Sequence, residues 1–260
     1  MPDYHPEGVG RCIICLDDKN RLTREHIVSY GLSSKGQMFI KKGTCEDCNG
    51  GMNKRFENPA LQNDFLDARA VLELLRRKRK NQIPLKTHPV EVLGDDGKMH
   101  VVQLKPAEHP GHVDWVDLQP ARLLTGDDLD KDGALTSLRV WFTDITPQRQ
   151  KYRQIGYRVP HVSGAVPLLI AKTGYTYAVA KLGLNAFDGS QIRDLLFGKR
   201  DDIYNFVGGL SAQEEFDTDS AFHKLYLRRR GKLQTVVVHL FASFGAPPWE
   251  VVVGEANEGN

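Results

Sequence analysis

Residues 11–30 read RCIICLDDKNRLTREHIVSY, and residues 43–51 read GTCEDCNGG. Together they hold every cysteine of the chain, as two C-x-x-C pairs: Cys12 with Cys15, and Cys45 with Cys48. Each pair can form a tight turn that presents two thiolates to one ion. Because the last 210 residues contain no cysteine, the pattern predicts a four-cysteine zinc site rather than a disulfide framework.

The zinc is expected to be structural, since four thiolates leave a tetrahedral ion no open coordination position. It would join two chain segments that are each too short to bury much surface. The alternative is a C-x-x-C redox centre, which favours one pair beside a β-α-β unit, whereas the two pairs here have equal spacing. The 29 residues between the pairs make a longer gap than in the commonest zinc patterns.

The composition is that of a soluble globular protein, with 40% hydrophobic residues in a chain of 260, enough for one large domain or two small ones. No apolar run approaches the roughly 18 residues of a membrane span, and the N-terminus lacks a basic segment followed by an apolar one. We therefore expect a cytoplasmic protein without a membrane partner. The net charge is +2, with 15 Lys and Arg against 11 Asp and Glu in the first 80 residues, a weak indication of a polyanionic partner.

The N-terminal third is predicted to hold a zinc domain over residues 1–60 and a basic linker helix over residues 61–83. A short helix is expected at about residues 49–58, after the second cysteine pair. From Leu61 onward, apolar residues at every third or fourth position predict an amphipathic helix that ends in a basic run, RRKRK, at residues 76–80.

Residues 84–260 are predicted to form a larger α+β domain with an antiparallel sheet. Alternating apolar and polar residues indicate strands before and after DDG, which is a hairpin turn signal at residues 95–97. Helical patterns cover residues 167–187 and 189–200, and three strands follow them. The predicted fold class is therefore α+β, with one or two helices covering the sheet.

The zinc site would bring Glu25 and His26 close to the start of the helix after Cys48. Asn49 and Asn53 are spaced i, i+4, so they would lie on one face of that helix. Carboxylate and carboxamide oxygens suit a hard ion such as Mg²⁺ or Mn²⁺, while a neutral imidazole can take a proton from an attacking water. The residues therefore predict a second, catalytic metal site beside the zinc.

The order CIIC, TREHI and CEDCNGGMNKRFE resembles the HNH endonuclease family. The resemblance covers the N-terminal region only, about residues 10–58, or roughly a fifth of the chain. It implies a ββα-metal fold with a four-cysteine zinc, and a metal-dependent hydrolysis of phosphodiesters that leaves 5′-phosphate and 3′-hydroxyl ends.

The same resemblance implies roles for individual residues. Glu25 would ligate the catalytic ion, His26 would be the general base, and Asn49 would be a second metal ligand. Asn53 corresponds loosely to a further helical ligand position, and Glu57 to an acidic position for which we expect a structural role. Two alternatives stay open: Glu25 and His26 can be an exposed acid beside a packed histidine, and Asn49 can simply cap its helix.

The sequence departs from the family pattern at several positions. No asparagine lies shortly before the second cysteine pair, where only Ile40 is close to the expected place, so we expect a backbone carbonyl to orient His26. Ser29 stands where many relatives have proline, and Ser33 and Ser34 where they have glycine. The loop after His26 is therefore expected to differ in shape.

The basic residues around the proposed site are expected to contact phosphates, which would position a duplex without reading its sequence. The predicted nucleic-acid-binding residues are Lys35, Lys41, Lys42, Lys54 and Arg55. The expected partner is double-stranded DNA, and RNA is the alternative partner.

The leading hypothesis is a metal-dependent HNH endonuclease that hydrolyses DNA, with restriction or antiphage defence as its setting by analogy. The C-terminal domain would supply targeting, regulation or dimerisation as a homodimer, and the sequence leaves these three open. The alternative hypothesis is a non-catalytic zinc-knuckle protein that binds nucleic acid or transmits a signal.

Overall fold

The computed structural model describes residues 3–33, 36–74, 88–105, 108, 111–126, 134–152, 154–157, 164–210 and 221–257. Over these residues the chain has an α+β fold that combines helices with several antiparallel sheets. The predicted fold class is confirmed. No helix among the described residues is long and apolar enough to cross a bilayer.

The N-terminal region is a β-hairpin followed by a run of helical turns. Strand β1 (Leu22–His26) pairs antiparallel with β2 (Phe39–Cys45), and helix α1 (Glu46–Met52) begins directly after β2. A π-helical turn at Asn53–Glu57 then continues α1. The predicted helix at residues 49–58 is therefore present, but it starts at Glu46, because the thiol of Cys45 accepts a hydrogen bond from the backbone of Cys48 and caps the helix.

The helix predicted from Leu61 is not continuous. A π-helical turn at Ala60–Asp64 is separated from α2 (Leu66–Val71) by Phe65, whose φ of −103° and ψ of 8° leave the helical region. Phe65 is fully buried, so packing of its side chain overrides the helical pattern in the sequence. The basic run at residues 76–80 and the linker as far as residue 87 lie outside the described residues.

Within the described part of the chain, the remaining elements form three further sheets. The largest has the order β10-β11-β12-β8, with β9 also paired to β12; a three-stranded sheet has the order β4-β3-β7, and β5 pairs with β6. The pairs whose geometry is described are antiparallel. The strands are β3 (His88–Leu93), β4 (Met99–Leu104), β5 (His112–Leu118), β6 (Ala134–Trp141), β7 (Ile155–Tyr157), β8 (Phe187–Asp188), β9 (Val207–Gly209), β10 (His223–Arg230), β11 (Leu233–Leu240) and β12 (Trp249–Ala256).

Helix α5 (Ala165–Leu182) lies at the centre of the molecule. The other helices of this half are α3 (Arg122–Thr125), α4 (Thr146–Lys151) and α6 (Ser190–Phe197). α5 packs on β11 and β12 and also on the π-helical turn at Asn53–Glu57. A Cβ atom at Gly174 would lie 2.8 Å from the Cβ atom of Val251, so glycine permits this close approach of helix and sheet.

One hydrophobic core connects the N-terminal region to the second half of the chain. The same cluster of buried residues includes Ile13, Phe56, Leu169 and Val251. A smaller cluster around Val90 lies between β3 and its neighbours. The β1–β2 hairpin therefore shares its hydrophobic core with the second half of the chain. The domain boundaries inferred from the sequence stay a prediction.

His223 ties the loop that follows β1 to the main sheet. Its Nδ1 atom accepts from the backbone N–H of Phe241 at 3.1 Å, so its Nε2 atom donates to the carbonyl of Leu32, 2.8 Å away. Leu32 ends the 3₁₀ turn Tyr30–Leu32. Burial lowers the pKa of His223 to about 4, because a charged ring would lose hydration there and could not accept from Phe241.

This histidine makes the free energy of unfolding depend on pH. Its pKa of about 4 in the folded protein is below the value of about 6.5 for an unfolded chain, so the unfolded state binds the proton first as the pH falls. The stabilisation from neutral His223 is complete above about pH 6.5 and decreases as the pH falls towards 4. The loss is about 2 kcal/mol at pH 5. Denaturant unfolding of wild type and His223→Gln at pH 7.5 and pH 5 measures it.

The expected result is a larger loss of stability on acidification for the wild type than for His223→Gln. The control is His100→Gln, because His100 is half exposed and pairs with Asp96 on the surface. Equal pH dependence in the wild type and His223→Gln would contradict the role given to His223.

Candidate functional site

The four cysteines converge at the start of the β1–β2 hairpin. One candidate ligand atom from each of Cys12, Cys15, Cys45 and Cys48 lies within 4.8 Å of all the others. In the first pair, the N–H of Leu16 donates to the carbonyl of Cys12 at 3.0 Å, and Leu16 has a φ of 65° that closes the turn. This cluster fits a zinc ion, so the predicted zinc site is supported by the geometry.

The environment of the thiols is consistent with a structural site. Cys12, Cys45 and Cys48 are buried, and Cys15 is exposed. A hydrogen bond from Cys48 lowers the pKa of Cys12 to about 4, whereas the pKa of Cys48, which donates to Cys12, is raised. The protein by itself therefore favours one thiolate, and a divalent ion would supply the charge that stabilises the others.

His26 and Asn49 line one open cleft with a volume of about 770 Å³. His26 ends β1 and Asn49 lies in the first turns of α1, so the cluster that joins the two segments also brings these side chains together. The other residues that line the cleft are Arg21, Leu22, Thr23, Arg24, Tyr30, Glu46 and Gly50.

The imidazole of His26 is held in place with one nitrogen free. Its Nε2 atom has no hydrogen-bond partner among the described residues, and an interaction with the side chain of Gln37 favours the protonated ring. The ring also packs edge-on against Tyr30 and is tilted against Phe39, with centroids 5.5 Å and 5.7 Å away. The side chain of Gln37 and the two aromatic rings therefore surround the imidazole, and the expectation that a backbone carbonyl orients His26 stays a prediction.

His26 is neutral at physiological pH. Burial is the main cause that lowers its pKa to about 4, and the positive charge of Lys172 lowers it further. A neutral ring has one nitrogen with a free lone pair, which can accept a proton or bind a metal ion.

Asn49 is partly buried, and its side-chain amide faces β1. Its Nδ2 atom donates to Thr23 Oγ1 at 3.3 Å and to the carbonyl of Arg24 at 3.4 Å. Because these bonds use the N–H groups, the carboxamide oxygen is the atom left to accept a hydrogen bond or to ligate an ion. Asn53, the looser candidate, is half-buried and does not line the cleft.

Glu25 lies behind the cleft rather than in it. Its side chain is 3% exposed, and Oε1 is 2.5 Å from Lys172 Nζ, while Oε2 accepts from Thr44 Oγ1 at 2.7 Å. A Cβ atom at Gly43 would lie 2.7 Å from the Cβ of Glu25, so β2 passes close to the base of this side chain. The structure thus brings together His26 and Asn49, and places Glu25 on the opposite side of β1.

Lys172 and Glu57 complete a buried charged cluster with Glu25. Lys172 Nζ is 2.9 Å from Glu57 Oε1 and also donates to the carbonyl of His26. Burial by itself lowers the pKa of Lys172 and raises that of Glu25, but the two carboxylates around the ammonium outweigh burial and raise the pKa of Lys172. Lys172 is therefore charged. The expected structural role of Glu57 fits this contact.

The basic residues predicted to bind phosphate are spread over different surroundings. Lys41 and Lys42 are exposed on β2, where Lys41 pairs with Glu7 at 2.6 Å, and Lys54 is exposed on the π-helical turn. Arg55 instead donates to the carbonyl of Leu195 at 2.5 Å, which links it to α6. Lys35 lies outside the described residues.

Four site residues were missed by the reasoning from sequence. Arg21 and Arg24 are exposed and line the cleft itself, and both lie within five residues of His26, so proximity in the sequence was an available signal. Gln37 carried no motif signal. Lys172 gave none either, because it sits 146 residues after His26 in a helix that reads as apolar core.

Comparisons of the chain with models of known families, with curated proteins and with solved structures found no match. The resemblance to HNH endonucleases therefore depends on the sequence motifs alone.

The zinc assignment predicts about one zinc per folded chain that mild chelation does not remove. Cys12→Ser is expected to lose the ion and to unfold the hairpin, because the cluster joins the first turn to α1. Elemental analysis and thermal unfolding measure the two effects. A folded protein that contains no zinc and is unaffected by Cys12→Ser would contradict the assignment.

Proposed function

We propose that the N-terminal region is a metal-dependent nuclease unit of the HNH type, which hydrolyses phosphodiester bonds in DNA. The observation that carries the proposal is the free Nε2 atom of His26, buried in the wall of a cleft that is also lined by Asn49, Arg21 and Arg24. An unpaired buried nitrogen is costly unless a substrate, water or ion uses it.

In this proposal His26 is the general base that takes a proton from the attacking water. Its low pKa keeps the ring neutral at pH 7. A bound phosphodiester would bring negative charge close to the ring and raise the pKa towards the working pH, where a base is most effective. The rings of Tyr30 and Phe39 would limit the movement of the imidazole.

Asn49 is proposed as a ligand of a catalytic Mg²⁺ or Mn²⁺, because its carboxamide oxygen is left for an ion. Glu25, the second ligand that the resemblance implies, lies on the other side of β1 in contact with Lys172 and Thr44, so it would have to leave these partners to reach an ion beside Asn49. When bound, such an ion would stabilise the charge that develops on the phosphate and on the departing oxygen. The donor set is that of a hard cation and differs from the four thiolates of the zinc site.

Arg21 and Arg24 are proposed to hold the phosphates on either side of the cleavage point. Both are exposed at the cleft, and Arg24 also lies 4.1 Å from the centre of the Phe39 ring, which limits its orientations. Lys41, Lys42 and Lys54 would extend the contact along the backbone of a duplex. The larger α+β part would supply targeting, regulation or dimerisation, and restriction or antiphage defence is a setting suggested by family analogy only.

The second candidate function is a non-catalytic zinc-knuckle protein that binds nucleic acid or transmits a signal. The burial of Glu25 favours it, because the carboxylate is held by Lys172 and Thr44 on the far side of β1. Without that ligand, the cleft would be a binding surface with two arginines and no catalytic ion.

The direct test is cleavage of supercoiled plasmid by the purified protein with Mg²⁺ or Mn²⁺. His26→Ala is expected to lower the rate by about 100-fold or more, the usual loss when a general base is removed. His100→Ala is the matched control, since that histidine is exposed on β4, and it should cut at the wild-type rate.

Linear DNA, single-stranded DNA and structured RNA in parallel reactions identify the preferred substrate. Cutting of RNA alone would replace DNA as the substrate but keep the site. Equal cutting by wild type and His26→Ala would contradict the role of His26, and no cutting of any nucleic acid would favour the binding protein.

Glu25→Gln tests the proposed role of Glu25 as a ligand of the catalytic ion. If Glu25 is a ligand, the Mn²⁺ concentration for half-maximal cleavage should rise by roughly 10- to 100-fold, with activity recovered at high Mn²⁺. An unchanged Mn²⁺ requirement in a folded variant would exclude Glu25 as a ligand.

A further inference from the structure

A single lysine of α5 binds both residues of the Glu25–His26 pair. The side chain of Lys172 is 1% exposed, and Nζ contacts Glu25 Oε1 at 2.5 Å, Glu57 Oε1 at 2.9 Å and the carbonyl oxygen of His26. An ammonium group has three N–H donors. Each therefore has an acceptor, and all three acceptors belong to the N-terminal region.

These acceptors come from the two segments that carry the proposed catalytic groups. Glu25 and His26 end β1, and Glu57 ends the π-helical turn that continues α1, the helix of Asn49. The position of β1 relative to α1 is thus fixed at two places: at one end by the four cysteines, and at the other by Lys172.

We propose that Lys172 is a positioning residue of the nuclease site, which holds His26 and the Glu25 carboxylate at a set distance from Asn49. This inference rests on the proposed function. Lys172 does not line the cleft and would not contact the substrate. It acts through the backbone of His26 and through Glu25.

The alternative is that Lys172 serves stability alone. Buried ion pairs are a weak source of stability, because the loss of hydration offsets most of the attraction, and apolar residues of similar size often do as well. Most of the other buried residues of α5 are apolar or small, as expected for a helix enclosed on nearly all sides. A charged residue with three acceptors on functional segments favours positioning.

The test must avoid leaving a buried carboxylate unpaired, which would unfold the protein. Lys172→Met is therefore combined with Glu25→Gln, and this double variant is compared with Glu25→Gln alone. Glu57 remains, because its side chain is 18% exposed and can reach water. Lys181→Met is the matched control, the same substitution on the same helix at a lysine that stacks on Tyr4.

Plasmid cleavage is measured at saturating Mn²⁺ and well below the unfolding temperature of each variant. The double variant is expected to have a kcat roughly 10- to 100-fold below that of Glu25→Gln, as for a displaced catalytic group, with KM for DNA changed by less than about threefold, because the arginines of the cleft are intact. Lys181→Met should match the wild type. A kcat equal to that of Glu25→Gln would overturn the proposal.

Amide hydrogen exchange provides a readout that does not depend on activity. The N–H of Ile27 donates to the carbonyl of Met38 at 2.8 Å, directly after His26, and should exchange at least about tenfold faster in the double variant than in Glu25→Gln. Val237 in β11 serves as the internal reference and should not change. Equal acceleration at both positions would mean that Lys172 only stabilises the whole fold, and would overturn the proposal.

The two readouts separate the failure of this inference from that of the proposed function. If the wild type cuts no nucleic acid, the nuclease proposal fails, and the exchange of Ile27 still decides whether Lys172 fixes the end of β1. If the wild type cuts but both readouts are unchanged in the double variant, only the positioning role fails.

Discussion

The cluster of four cysteine sulfurs is the constraint on which the N-terminal region depends. It joins a turn at Cys12–Cys15 to the point where β2 ends and α1 begins, so it sets where His26 and Asn49 stand relative to each other. Neither segment could hold this arrangement alone, because a two-stranded hairpin is marginal in water. The zinc ion that fits the cluster would therefore act on function only through geometry.

Helix α5 provides the second constraint, through two side chains that lie within one turn of the helix. Lys172 binds the Glu25–His26 pair, and Tyr175, three residues later, donates to the carbonyl of Ile13 at 2.5 Å, inside the first cysteine turn. His223 adds a third connection, to the loop after His26. The larger part of the chain is thus in direct contact with the backbone around the cleft.

Most of the secondary structure could be predicted from local patterns. The strands β11 and β12 and the helix α5 were predictable because the two strands are short runs rich in β-branched residues and α5 is a long apolar run. The split at Phe65 was not, since it depends on a buried ring that packs against Trp115 and Phe241. The division of the strands into separate sheets could not be predicted either, because it depends on contacts between residues that are far apart in the sequence.

Only part of the candidate site could be predicted from the sequence. The cysteine cluster and the pairing of His26 with Asn49 followed from spacing, since two C-x-x-C turns on one ion leave few arrangements. The location of Glu25 did not follow, because adjacent residues of a strand face opposite sides and its partner Lys172 comes from a distant helix. Gln37 likewise reaches His26 from the neighbouring chain segment and not through a motif.

We propose that the region holds two different metal sites, one structural and one catalytic. Anomalous diffraction from crystals soaked in Mn²⁺, recorded at the zinc and manganese edges, would locate both ions. We expect a zinc peak among the four sulfurs and a separate manganese peak in the cleft beside Asn49. A zinc peak with no manganese in the cleft would contradict the catalytic site, and a cluster without zinc would contradict the structural one.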